Sequence, residues 1–262
     1  MTRLPTDRAL QDDVIRALAD APYRGSLEWR RRGLADPDRV ERYARFLARH
    51  FYHERIVHFF KYSRTLARVT GRAPEATLKS PPFDALLPTL VLGSRATAAA
   101  VARLVTAHVA SGRGRGSIPY LADLLRYEEA MMVVEAGPRI WRDGASTEGA
   151  GSGERDRPET VEGTVLLDLA YDLPTVLPNL LQPWTEVPLA SERRTKLLVA
   201  RSPHGRVAVA KSDESVAAVI ELADGKRTLE ELARGAGLPV ADLHHTLQGL
   251  VDLGAVRFST GS

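Results

Sequence analysis

The sequence predicts a mainly α-helical protein with a small α+β domain: an N-terminal helical bundle followed by a winged-helix-like domain with a β-hairpin and three helices. Apolar residues recur at helical spacing through the first 140 residues, where no strand pattern is found. A run of Gly, Ser, Thr and charged residues then covers 143–163. Two short β-prone segments and three helical segments make up most of the last hundred residues.

The first two helices are predicted from spacing and from their start signals. One is expected over Asp7–Ala19, and a longer one over Asp38–Val69, with Asp36 as N-cap and Pro37 at its first position. The apolar residues of the longer helix are expected to form a buried stripe. They are Val40, Tyr43, Leu47, Phe51, Ile56, Phe59, Phe60 and Leu66.

Three more helices complete the N-terminal part. They are predicted over Phe83–Leu92, over Arg95–Ala110 behind the N-cap Ser94, and from Ile118 to Glu135. We therefore expect a helical domain over 1–142, with a partly disordered linker over 143–163.

The remaining residues, 164–262, are expected to form the second domain. Thr164–Tyr171 is β-prone, and the proline-rich stretch 173–189 is expected to be an irregular connection. A hairpin and three helices follow: Lys196–Ser202, Arg206–Lys211, Glu214–Ala223, Thr228–Arg234 and Val240–Leu253. The last helix contains two Asp and two His but no Lys or Arg.

Composition narrows the possible functions. The 262 residues include no Cys, which excludes disulfides, thiolate catalysis and Cys-bound metals. No apolar run reaches the ~20 residues of a membrane span, and no secretion signal is recognisable, so we expect a cytoplasmic protein without a membrane partner. The net charge of +3 does not indicate nucleic-acid binding. Residues 24–72, however, hold 13 Lys/Arg against 5 Asp/Glu, which is typical either of a solvated face or of a surface that binds an acidic partner.

One segment could bind a metal. His50, Glu54 and His58 recur at a spacing that places them on one helix face, and His53 lies beside them. A helical metalloenzyme is therefore one alternative, and an ordinary amphipathic helix is the other.

The hairpin indicates a different kind of site. An exposed edge strand can pair with an extended peptide, which adds to the sheet as another strand. We expect the last helix to border this site, although its leucines could simply build the core. The candidate peptide-binding residues are Val207, Ala208, Val209, Ala210, Lys211, Leu243 and Leu247.

Two segments resemble known families. Residues 201–233, with His204-Gly205 at the turn and Arg227-Thr228 before a helix, resemble PqqD-like domains, which recognise ribosomally made precursor peptides. Residues 117–134 resemble the Pro-Tyr-Leu-x-Asp-Leu-x-x-x-Glu helix of MbnC/TglI-like proteins, the partners of multinuclear iron oxygenases. The matching residues are Pro119, Tyr120, Leu121, Asp123, Leu124 and Glu128.

The resemblance implies a non-catalytic subunit of a heterodimer. Its partner would be a TIM-barrel multinuclear iron enzyme that modifies a precursor peptide, often at Cys, in natural product biosynthesis. The iron would belong to that enzyme, so no cofactor is expected in this chain. We expect the partner-docking residues on the matched helix: Pro119, Tyr120, Asp123, Arg126 and Glu128.

A winged-helix DNA-binding transcriptional regulator is the alternative function. The basic segment at 24–72 favours it, whereas the absence of Lys and Arg from the last helix argues against it, because DNA readers need phosphate contacts. We therefore expect no nucleic-acid partner.

Overall fold

The computed structural model describes residues 7–34, 36–112, 118–136 and 156–260. The chain divides into two compact units, which meet in sequence between Ser117 and Ile118. The described part of the first unit is helical apart from one isolated β-bridge between Asp20 and Val91, and the second combines helices with short strands. The predicted fold class is confirmed as far as a mainly helical protein with a small sheet region.

The first unit contains eight described α-helices and two 3₁₀ segments, Pro74–Lys79 and Leu87–Thr89. The predicted bounds of the first helix and of the Ala-rich helix behind Ser94 are confirmed. The helices are α1 (Asp7–Ala19), α2 (Ala21–Arg24), α3 (Leu27–Arg30), α4 (Pro37–Phe59), α5 (Lys61–Thr65), α6 (Ala67–Thr70), α7 (Pro81–Leu86) and α8 (Arg95–Ala110).

Helix α4 begins as predicted but ends earlier. The Asp36 carboxylate accepts a hydrogen bond of 2.8 Å from the backbone N–H of Arg39, which caps the first turn. The prediction of one continuous helix to Val69 was wrong, because α4 ends at Phe59 and α5 and α6 follow as separate short helices. The predicted helix over Phe83–Leu92 is likewise shorter, since α7 ends at Leu86.

The predicted stripe is confirmed only from Ile56 onward, where Ile56, Phe59, Phe60 and Leu66 are buried. Earlier in α4, small residues and Tyr52 face the core instead, with Ala44 and Ala48 almost fully buried. Tyr43 was predicted to be buried, but 52% of it is exposed. The helix therefore has two apolar stripes, and only one of them is covered within the described residues.

The second unit contains five described helices and five strands. It consists of α9 (Leu121–Glu135), β1 (Asp156–Thr160), β2 (Val165–Leu169), α10 (Leu173–Leu180), β3 (Thr195–Arg201), β4 (Val207–Ser212), α11 (Glu214–Leu222), α12 (Leu229–Ala236), α13 (Val240–Leu253) and β5 (Val256–Thr260). The strands β2, β3 and β4 form an antiparallel sheet in that order, and β1 pairs antiparallel with β5.

Both faces of the three-stranded sheet are packed. Leu198 and Ala200 of β3 join a core with buried residues of α11, α12 and α13. Leu197 and Val199, which alternate with them, are buried on the opposite face. Helix α9 packs against β2 and β3.

Two segments predicted to be irregular form regular structure. The linker prediction for 143–163 was wrong for Asp156–Thr160, because these residues form a ladder with Val256–Thr260, and the N–H of Thr160 also bonds to the Ala223 carbonyl oxygen at 2.8 Å. Residues 143–155 lie outside the described residues. The proline-rich stretch contains α10, whose apolar side is buried and whose first turn accommodates Pro174.

The domain boundary also requires a correction. Helix α9 was predicted to belong to the helical domain over 1–142, but it lies in the second unit. The physical reason is a set of polar contacts: Asp123 accepts hydrogen bonds from the backbone after β2, and Arg126 donates one to the Asp168 carbonyl oxygen at 2.8 Å.

Candidate functional site

The candidate site is the outer edge of β4. This strand lies at the end of the three-stranded sheet and pairs, among the described strands, with β3 alone. The hairpin turn is tight, with Gly205 at a φ of 78° and the N–H of Ser202 bonded to the Arg206 carbonyl oxygen at 2.8 Å.

This turn determines which backbone groups of β4 point outward. Ser202 and Arg206 are joined by the backbone hydrogen bond that closes the turn. Along an antiparallel ladder, residue pairs that are hydrogen-bonded to each other alternate with pairs that are not. Ala208 and Ala210 therefore bond to β3, whereas the N–H and C=O groups of Val207, Val209 and Lys211 are directed to the outer edge. These three residues present the backbone pattern that an added strand requires.

The side chains along β4 alternate between the two faces of the sheet. Ala208 and Ala210 lie on the same face as Ala200 and Leu198, which belong to the core beside α11–α13. Val209 lies on the opposite face with 36% of it exposed. The small alanine side chains cover little of the edge, so an added strand could approach closely.

A buried carboxylate lies at the end of β4. Asp172 is 1% exposed, and it pairs with the Arg193 guanidinium and with Lys211 Nζ, 3.2 Å from Oδ1. Burial opposes ionisation and is the largest single influence on this carboxyl, but the hydrogen bonds and charges of Lys211 and Arg193 together outweigh it and lower the pKa of Asp172. Asp172 thus holds Lys211 beside the edge as part of an ion-pair cluster.

The predicted contribution of the last helix to the site is wrong. Leu243 and Leu247 are 0% and 1% exposed, and both belong to the core shared with β3. They pack inside the unit and cannot contact a peptide on its surface. The exposed side of α13 instead carries His244, His245 and Gln248.

The matched helix α9 is also more buried than its predicted docking role requires. Tyr120 is 1% exposed, and its hydroxyl donates to the Pro188 carbonyl oxygen at 2.7 Å. Burial raises the pKa of Tyr120 to about 12. Asp123 and Glu128 are 7% and 0% exposed, so their carboxylates do not lie at the surface.

The Asp123 carboxylate stabilises the fold of the second unit. Its Oδ2 accepts hydrogen bonds from the N–H groups of Ala170 and Tyr171 at 2.6 and 3.0 Å, immediately after β2. These contacts join α9 to the sheet. Of the five predicted docking residues, the buried Tyr120, Asp123 and Glu128 are unavailable to a partner, whereas Pro119 and Arg126 are exposed.

The predicted metal ligands are exposed and do not form a closed site. His50 Nε2 lies 3.3 Å from Glu54 Oε1, and His53 and His58 are also exposed. In the part of the chain that the structure describes, no three His, Asp or Glu side chains are grouped so that they could hold a metal ion. Within the same ranges, no helix is both long enough and apolar enough to cross a membrane.

The site contains residues that the sequence analysis missed. Asp172 and Arg193 lie just outside the two ends of the stretch 173–189 that was predicted to be irregular, and only the fold brings them to Lys211. The one local signal was an Asp directly before Leu173-Pro174, the pattern of a helix start.

Comparison with known proteins does not assign the chain to a family. No protein-family model matches the chain, and no curated protein matches its sequence.

Proposed function

We propose that this chain is a non-catalytic recruiting subunit that binds an extended segment of a ribosomally made precursor peptide along β4. A separate TIM-barrel multinuclear iron enzyme would then modify the peptide. The observation that carries the proposal is the outer edge of β4, with the backbone groups of Val207, Val209 and Lys211 directed outward. The order of the hairpin and the three helices α11–α13 supports a winged-helix-like, PqqD-like domain, and the resemblance supplies the classes of peptide and enzyme.

Strand addition explains how such a site would work. Each backbone hydrogen bond contributes roughly 0.5 to 1.5 kcal/mol net, so a few bonds give moderate affinity for many extended sequences. Binding both peptide and enzyme would raise the local concentration of the modifiable residue at the iron centre. The chain then accelerates the reaction by positioning the substrate, and the chemistry belongs to the partner.

A tagged pull-down from the native host is the first experiment. Mass spectrometry should identify an iron-containing TIM-barrel protein together with a small precursor peptide. Recovery of duplex DNA and RNA polymerase components would instead favour the transcriptional regulator.

The edge strand is tested with the recovered peptide, synthesised and labelled for fluorescence anisotropy. Val209→Pro removes an outward N–H donor and no β3–β4 bond, so we expect it to weaken binding by about tenfold, while Val209→Ala keeps the donor and binds nearly normally. A folded Val209→Pro variant that binds the peptide as well as the unmodified chain would refute the strand assignment.

A second variant distinguishes the N–H groups of β4 that bond to β3 from those that point outward. Ala210→Pro removes a donor that points toward β3, so it should lower the melting temperature of the free protein, which Val209→Pro should change much less. Amide hydrogen exchange gives an independent readout, because bound peptide should slow exchange at Val209 and Lys211 more than at Ala208 and Ala210. Equal slowing at all four amides would contradict the deduced orientation of the strand.

A further inference from the structure

Helix α4 carries an exposed aromatic stripe in the first unit. Tyr43, Phe46 and His50 lie three and four residues apart, which places them on one face of the helix. The rings of Tyr43 and Phe46 are stacked with centroids 6.1 Å apart, and those of Phe46 and His50 with the same separation and an interplanar angle of 4°. Phe46 is 60% exposed, so the stripe is available at the surface of the described residues.

The stripe borders a groove between α1 and α4. The groove has a volume of about 570 Å³ and is lined by Val14, Leu18, Arg39, Val40, Arg42, Tyr43 and Phe46. Its floor is therefore aliphatic and aromatic, and the two arginines are its charged lining residues. Arg42 lies 4.0 Å from Asp36, but 70% of its side chain is exposed and open to a partner. This volume is comparable with that of binding pockets that accept several large apolar groups.

We propose that this α1–α4 groove binds an acidic amphipathic helix of a protein partner. Apolar side chains of that helix, spaced three or four residues apart, would enter the groove, and neighbouring carboxylates would contact Arg39 and Arg42. Helices commonly bind in apolar grooves in this way, and Tyr, Phe and Arg are enriched where proteins meet. Charge complementarity makes the partner acidic.

The charges of the groove disfavour a second copy of this chain. In a two-fold dimer the same surface patch meets itself, so the interface would contain four arginines from the two groove linings and no carboxylate from either lining. Such like-charge contacts cost binding energy when they are desolvated.

Nucleic acid is disfavoured for a different reason. Stacked rings beside arginines could hold bases, but the aliphatic Val14, Leu18 and Val40 offer no hydrogen bonds to them. A protein helix therefore fits the lining better.

Site-specific photo-crosslinking of the full chain in its native host tests the proposal. Phe46→p-benzoylphenylalanine preserves an aromatic group at an exposed position, and Arg103→p-benzoylphenylalanine on the exposed side of α8 is the matched control. We expect position 46, but not position 103, to crosslink to one polypeptide segment that has net negative charge and helically spaced apolar residues. A crosslink to nucleic acid or to a second copy, a segment with net positive charge, or no crosslink would overturn the proposal.

A charge-reversal experiment provides the quantitative readout. A synthetic peptide of the crosslinked segment should bind the full chain about tenfold more weakly after Arg42→Glu, and a Glu→Lys change in the peptide should restore the affinity. Arg103→Glu should leave binding unchanged. Unchanged affinity of Arg42→Glu would overturn the proposal, independently of peptide capture at β4, because Val209→Pro should leave the position-46 crosslink intact.

Discussion

The two units expose different chemical groups. In the first, the surface of α4 offers the rings of Tyr43 and Phe46 beside arginine side chains. In the second, the edge of β4 offers mainly backbone N–H and C=O groups among small side chains. Side-chain grooves select a partner by its sequence, whereas a strand edge selects an extended conformation and tolerates many sequences. One chain could therefore hold a constant protein partner through the first unit and a variable peptide through the second.

The two units also differ in the interactions that stabilise each of them near these surfaces. The exposed stripe of α4 lies on a helix whose other side buries small residues and Tyr52. The sheet of the second unit depends on buried carboxylates and on a glycine that allows a close backbone approach. Substitutions should therefore affect stability strongly in the second unit and weakly at the α4 stripe.

The largest loss of stability is expected for a substitution at the end of α13. Gly254 has a φ of 79°, and an added Cβ would lie 2.2 Å from the Arg201 carbonyl oxygen of β3. Gly254→Ala should therefore lower the free energy of unfolding by roughly 3 to 5 kcal/mol, combining left-handed backbone strain with overpacking. Chemical denaturation measures this change.

Gly205→Ala is the matched control for that prediction. Gly205 has a similar φ of 78°, but no atom lies within 4 Å of an added Cβ. It should cost only about 1 to 2 kcal/mol from the backbone conformation. Equal losses in the two variants would show that the close approach to β3 contributes nothing.

The next largest loss of stability is expected at the hydrogen bonds between α9 and the sheet. Asp123→Ala leaves the N–H groups of Ala170 and Tyr171 without their acceptor, which should cost about 2 to 4 kcal/mol. Asp123→Asn keeps one oxygen acceptor and should lose less. Hydrogen exchange should accelerate at these two amides, and a variant with unchanged exchange there would contradict the assigned role of Asp123.

Sequence patterns predicted those elements whose signals are local. Helices α1, α8 and α13 have the predicted bounds because apolar spacing and cap residues such as Ser94 lie within or beside each helix. The β3–β4 hairpin was predicted for the same reason, since Gly205 stands between two β-prone segments.

Features that depend on distant pairing were missed. Strand β1 lacks an apolar alternation, and its ladder partner β5 lies about a hundred residues away along the chain. The burial of Asp123 depends on the N–H of Ala170, 47 residues further on. The exposure of Tyr43 arises because Ala44 and Ala48 let the other face of α4 pack, and hydrophobicity alone favours Tyr43 for burial.

A smaller, pH-dependent effect is expected at Asp172. Its pKa is lowered in the folded state, so its ion pairs stabilise the protein above the ordinary value of 3.8 and are lost as the pH falls through the lower folded value. Asp172→Asn should cost about 1 to 2 kcal/mol at pH 7, because Arg193 and Lys211 are largely exposed. Urea denaturation at pH 7 and pH 3 measures this difference, which should narrow at the lower pH; a constant difference would exclude ionisation as its source.

The smallest effect on stability is expected in the α4 stripe. Phe46 is 60% exposed, so Phe46→Ser should change the free energy of unfolding by less than about 0.5 kcal/mol. Ile56→Ala, on the same helix but fully buried, should cost about 2 to 5 kcal/mol. A large loss in Phe46→Ser would mean that the ring stabilises the fold of the isolated chain, which would weaken its assignment to a partner. A negligible loss together with loss of the crosslinked partner would show that the ring contributes to binding and not to folding.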